Sequence, residues 1–153
     1  MKFKHAFEVE APLSEVWKFH SSGSSLKKIT PPPVYVQIHH VSDEMKNDDL
    51  MDFTLWLGPF PIHWIAKIED VSPGGFRDVQ IKGPYASWVH RHSFIELSPT
   101  KTLVNDEVEY ELRPDFPGSI IGKLMSANLN FLFAYRKRKT TQILEKKEKN
   151  LEM

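Results

Sequence analysis

Two histidines separated by one residue, His90 and His92, are the side chains of this chain best suited to chemistry. Residues two apart on a strand project to the same face, so both imidazoles point the same way. Imidazole takes and releases protons near neutral pH without much tuning. Upstream, Asp78 and Gln80 repeat the spacing, and downstream Asp106 and Tyr110 fall on one face of a further strand. A turn centred within Gly83–Ser87 would set Phe76 opposite Phe94, Asp78 opposite His92 and Gln80 opposite His90. Opposed side chains have Cβ atoms about 5 Å apart, within reach of a charge-assisted hydrogen bond that fixes the ring's tautomer. Asp106 or Tyr110 can supply a third member.

Three uses are open to such a cluster. It can be a structural network, because buried polar groups need partners and these strands supply them to one another. It can form the polar end of a pocket, with His and Gln orienting a carbonyl or hydroxyl. It can run acid–base chemistry, with His92 and Asp78 as the candidate catalytic pair. A metal is not expected. His90, His92 and Glu96 are donors a transition metal takes, but the flanking glycines and second motif of a cupin are missing. There is no cysteine, no G-x-S-x-G elbow and no phosphate-binding glycine loop, so nucleophilic and nucleotide chemistry have no support and no cofactor is expected.

The cluster must be held by strands, and the period of the sequence supplies them. Phe3, His5, Phe7 and Val9 alternate with polar residues as on a half-buried strand. Pro12 opens a helix carrying Leu13, Val16, Trp17 and Phe19, and a short second helix near residues 25–29 runs into Pro31-Pro32-Pro33, a stiff connector. Six strands follow, at about 34–42, 50–57, 60–71, 75–82, 87–97 and 102–112, with Gly, Pro, Asp and Ser between them. Such short connections make antiparallel neighbours. From Pro117 onward apolar residues recur at three and four, predicting one long helix whose apolar face fades after Tyr135. The basic run Arg136–Lys139 then reads as its solvated part.

Seven strands and one long amphipathic helix leave a covering problem. A twisted sheet solves it by wrapping around the helix, and one helix does not fill that concavity. The alternation predicts a pocket lined by Phe53, Trp64, Trp88, His90, His92 and Tyr110, with Asp78 and Gln80 at its polar end, although Val79 and Ile81 give the other face of that strand an equal apolar claim. The expected fold is α+β, with a seven-stranded curved antiparallel sheet around a long C-terminal helix and two short helices after the first strand.

Composition agrees with one globular domain spanning 1–153. The chain is 41% hydrophobic, and twenty basic residues balance twenty acidic ones, so no overall field draws it to nucleic acid. No apolar run approaches the roughly 20 residues that span a bilayer, and no signal-peptide block opens the chain. A cytoplasmic location is the default.

At Phe76-Arg77-Asp78-Val79-Gln80, Gly83-Pro84-Tyr85 and Trp88-Val89-His90-Arg91-His92 with Phe94, the sequence resembles a bacterial subgroup of the START-like superfamily. That superfamily includes polyketide cyclases/dehydrases and coenzyme Q chaperones. Ala11-Pro12-Leu13-Ser14-Glu15-Val16-Trp17, Leu26-Lys27-Lys28-Ile29-Thr30-Pro31-Pro32, Asp106-x-Val108-x-Tyr110 and Phe133-Ala134-Tyr135-Arg136 extend the likeness over nearly the whole chain. The resemblance implies a helix-grip fold with a ligand cavity between sheet and C-terminal helix. It implies no shared reaction, since relatives include cyclases, lipid carriers, receptors and co-chaperone domains. The expected partner is a small hydrophobic or lipid-like molecule, and the protein is read first as a carrier. A cyclase/dehydratase and a protein-interaction domain are the alternatives.

Overall fold

The chain begins on a strand, β1 (Lys2–Val9), and turns into two short helices, α1 (Leu13–His20) and α2 (Ser25–Lys28). Six further strands follow: β2 (Tyr35–His40), β3 (Leu50–Leu57), β4 (Phe60–Ser72), β5 (Gly75–Lys82), β6 (Tyr85–Ser98) and β7 (Lys101–Leu112). Two helices, α3 (Gly118–Ala127) and α4 (Leu129–Glu152), close the chain. The computed structural model describes residues 1–152.

All seven strands join one antiparallel sheet in the order β1-β7-β6-β5-β4-β3-β2. The meander predicted from the short connections therefore runs unbroken from β2 to β7, and β1 adds beside β7. On β7, Thr102, Val104, Asp106 and Val108 are buried in strict alternation, which marks the inner face. Ile68, Val9, Val104 and Val108 are fully buried there. Helix α4 lies over this face through Phe133, whose ring packs 5.1 Å from Phe3 and 5.8 Å from His5.

Two expectations about the C-terminal segment are corrected. The helix is not continuous: it breaks at Asn128, whose side-chain amide donates to Leu124 O at 2.8 Å. An asparagine that bonds local backbone competes with the helix ladder. The buried face also does not fade after Tyr135, for Thr140 and Leu144 are both buried. Leu129, Phe133, Arg136, Thr140 and Leu144 continue one stripe at three- and four-residue steps. Arg136 belongs to that stripe and not to the solvated face.

The β5–β6 hairpin carries a third correction. Phe76 pairs with His92, and Asp78 with His90, two residues from the expected register. The cause is Gln80. Its amide nitrogen donates to Tyr85 O at 2.9 Å while its amide oxygen accepts the Tyr85 N–H at 3.2 Å. This staple starts β6 at Tyr85 and centres the turn on Pro84. Gly83 is required beneath it, since a Cβ there would stand 2.4 Å from Gln80 Oε1.

Candidate functional site

Between the sheet, α1–α2 and the α3–α4 junction lies a cavity of about 390 Å³, the size of a small-molecule pocket. Its wall is mainly aromatic and aliphatic. Phe53 and Trp64 stack at 6.0 Å and 13°, and Trp88 meets Trp64 edge-on at 5.4 Å. Leu129, Leu132 and Met125 close it from the helices, and Pro31, Pro32 and Pro33 line it as well. The triple proline is thus part of the cavity wall as well as a connector.

The polar end is built by β5, β6 and β7. His92 Nε2–H donates to Asp78 Oδ2 at 2.8 Å, and His90 Nε2–H donates to Asp106 Oδ1 at 2.8 Å. The pairing is crossed. Asp78 stands opposite His90 in register yet bonds His92, and Asp106 stands opposite His92 yet bonds His90. The two imidazoles lie 3.7 Å apart with a 32° tilt, between two carboxylates. Phe76 stacks on the outer face of His92 at 4.4 Å. Asp78, His90 and His92 reach the cavity wall.

Burial alone would raise both carboxyls, but the bonded rings outweigh it. Asp106 is held well below the usual carboxylate range by its His90 hydrogen bond and the neighbouring histidines. Asp78 is lowered in the same way by His92, His90 and Arg136. His90 is lowered, first by burial and then by the adjacent His92, against the pull of the two aspartates.

Two further residues reach the cavity that the sequence reading missed. His20, the last residue of α1, lines it with its ring 4.8 Å from Phe94. Burial pushes it down to about 4, and its Nδ1–H donates to Val16 O at 2.8 Å. Arg136 lines the cavity from α4, with its guanidinium carbon 5.2 Å from the Phe133 ring centroid. Its Nε is buried without a hydrogen-bond partner. Asp106 and Asp78 act on it through space, offsetting burial, which comes first and lowers it. The helical spacing of Arg136 from Leu129, Phe133 and Thr140 was the signal available in the sequence, and the basic tetrad masked it.

Of the residues singled out from the sequence, Phe53, Trp64, Asp78, Trp88, His90 and His92 are brought together on the wall. Gln80 and Tyr110 are not. Gln80 is spent on the turn, and Tyr110 packs behind the wall against Tyr85 at 5.5 Å and Trp88 at 6.1 Å. Asp78, His90 and His92 offer donor atoms within 4.8 Å of one another, as a metal would need. The guanidinium of Arg136 in the same cavity opposes a second positive charge there.

A model of the polyketide cyclase/dehydrase and lipid transport family matches residues 9–130. The chain belongs to that family. Like it in fold is the Zhui aromatase/cyclase from Streptomyces sp. R1128, with a TM-score of 0.75 and 14% identity over 95% of this chain and 93% of that one. A START superfamily protein from Mycobacterium smegmatis gives 0.66 and 14% over 95% and 97%. Norcoclaurine synthase from Thalictrum flavum, in complex with dopamine and hydroxybenzaldehyde, gives 0.69 and 15% over 95% and 87%. No curated protein matches the sequence. In this polyketide cyclase/dehydrase family member the curved seven-stranded sheet, the short helices and the long C-terminal helix form the helix-grip fold. No helix among the described residues is long and apolar enough to cross a membrane.

Proposed function

We propose that the chain, as one domain, binds a small, mainly aromatic ligand whose oxygen-bearing end meets Arg136 and the His–Asp cluster. The observation that carries this reading is the guanidinium of Arg136. It stands on the wall of an apolar cavity, with no protein partner at Nε and with carboxylates that reach it only through space. A buried charge without direct partners is costly, and a carbonyl, phenol or carboxylate oxygen of a ligand would relieve that cost. The aromatic, oxygen-bearing molecules bound to norcoclaurine synthase are of this class.

Trp64 and Trp88 report occupancy directly. Titration with hydroxybenzaldehyde and larger hydroxylated aromatics should quench tryptophan fluorescence saturably. Arg136→Met should weaken the best of them about tenfold or more, the scale of a lost charged hydrogen bond. Absence of saturable binding across the panel, or equal affinity in the variant, overturns the reading.

A second reading, turnover of the bound ligand by cyclisation or dehydration, is favoured by one observation. His92 stands on the cavity wall with Asp78 fixing its tautomer, the arrangement of an oriented general base or acid. It predicts that His92→Ala keeps the fold and the ligand but loses conversion of a polyketide-like substrate by about a hundredfold. Equal conversion by the variant leaves the carrier role standing.

A further inference from the structure

On the opposite, convex face of the sheet the three strands at its β2 end bring together His39, Asp52 and His63. One donor atom from each lies within 4.8 Å of the others. His63 Nε2–H donates to Asp52 Oδ1 at 2.6 Å, and His39 Nε2 meets Thr54 Oγ1 at 2.8 Å. The two imidazoles are nearly perpendicular, at 88°, with centroids 5.8 Å apart. Nothing in the linear spacing of 39, 52 and 63 announces the group; only the register of β2, β3 and β4 creates it.

Local structure aims these side chains. Thr54 pairs with His63, and Asp52 with Ile65, so the alternation of β3 and β4 turns Asp52, Thr54 and His63 away from the cavity. On β2 a register shift falls between Ile38 and His40, which leaves His39 as the extra residue of a bulge. Bulges re-aim side chains, and this one sets the His39 ring beside Thr54. His40 pairs with Asp52 on the neighbouring position but is not one of the three grouped donors.

We propose that His39, Asp52 and His63 form a binding site for a divalent transition-metal ion of the Zn²⁺, Co²⁺ or Ni²⁺ class. Two imidazole nitrogens and one carboxylate oxygen are a donor set that borderline metals take and that Mg²⁺ and Ca²⁺ do not favour. Donors held about 2.1 Å from one tetrahedral ion stand about 3.4 Å apart, so small side-chain rotations close the present arrangement around it. Asp52 is half-buried and His39 exposed, so the face admits an ion and leaves a coordination position for water. No like charge stands within the triad, in contrast to the guanidinium facing the cavity cluster. The site would clasp the edge strand β2 to β3 and β4, independently of what the cavity holds.

Calorimetric titration of the chelator-stripped protein with Zn²⁺ alone, and with Co²⁺ read by its d–d absorption, tests the site. One equivalent should bind, the absorption should have tetrahedral or five-coordinate intensity, and the melting temperature should rise with metal concentration. His39→Ala and His63→Ala should each weaken binding about tenfold or more, with circular dichroism unchanged. Unchanged affinity in the His39→Ala/His63→Ala double variant would place the metal elsewhere, the cavity histidines included, and overturn the proposal. So would the lack of any stoichiometric binding by the native chain.

Discussion

His90 shows how much of this site rests on single contacts. Its ring is 3% exposed and its Nε2–H has one acceptor, Asp106, itself buried. Asp106→Ala removes the acceptor and leaves the N–H orphaned, a loss of about 1–3 kcal/mol in chemical denaturation. A loss below about 0.5 kcal/mol would show that the pair is not structural. Residue types and most faces are readable from the sequence: alternation puts His90, His92 and Asp106 on the inner face, but on the strand of Asp78 the residues Val79 and Ile81 give the other face an equal apolar claim. The partners were not. Which carboxylate meets which ring depends on side-chain reach across a diagonal, and the crossed pairing appears only once the strands are twisted and in register. Arg136 was hidden for the opposite reason, because local charge composition outweighed a helical spacing that was present.

At the level of elements, the β5–β6 hairpin decides where His92 stands, and its two ends are constrained differently. At the turn, Gln80 holds both backbone groups of Tyr85. A strand residue whose side chain reaches across the turn is not legible from strand periodicity, which explains the two-residue difference in register. At the open end, Gly75 has φ 142° and a Cβ there would stand 1.9 Å from His92 O. Only glycine tolerates that backbone and that approach. Gly75→Ala must therefore push β5 away from β6 at His92, so a loss of about 2 kcal/mol or more is expected from thermal or urea unfolding. Because the displaced carbonyl belongs to His92, aromatic-ligand affinity should fall in the same variant. Native-like melting would mean that the hairpin yields without strain. Strand and helix existence was otherwise plain in the sequence, since the turn residues and both periods agreed; the break at Asn128 was not, being the work of one side chain against a strong apolar pattern.

For the molecule as a whole, the buried titratable groups tie stability to pH in two stages. His20 is depressed to about 4 by burial, in the neighbourhood of His92, Asp106 and His90. An unfolded histidine takes its proton near pH 6.5, whereas native His20 takes it only near 4. Between those values the unfolded chain binds more protons than the native one, so stability rises with pH and is lost on acidification through that window. His90 and His5, both lowered first by burial, add to the slope with the same sign. Asp78 and Asp106 act later. Their carboxyls are lowered from about 3.8, so their stabilisation is present above that value and fades as pH falls below it. Urea unfolding at pH 7, 5.5 and 4.5 should give midpoints that fall steadily, followed by a steeper collapse below pH 4. His20→Gln removes the first group while keeping a donor for Val16 O, and should flatten the pH 6.5 to 4 segment, leaving the part due to His90 and His5. An unaltered slope in that variant would mean that His20 takes up its proton without cost, and that the helix end on which it sits opens to water before the sheet does.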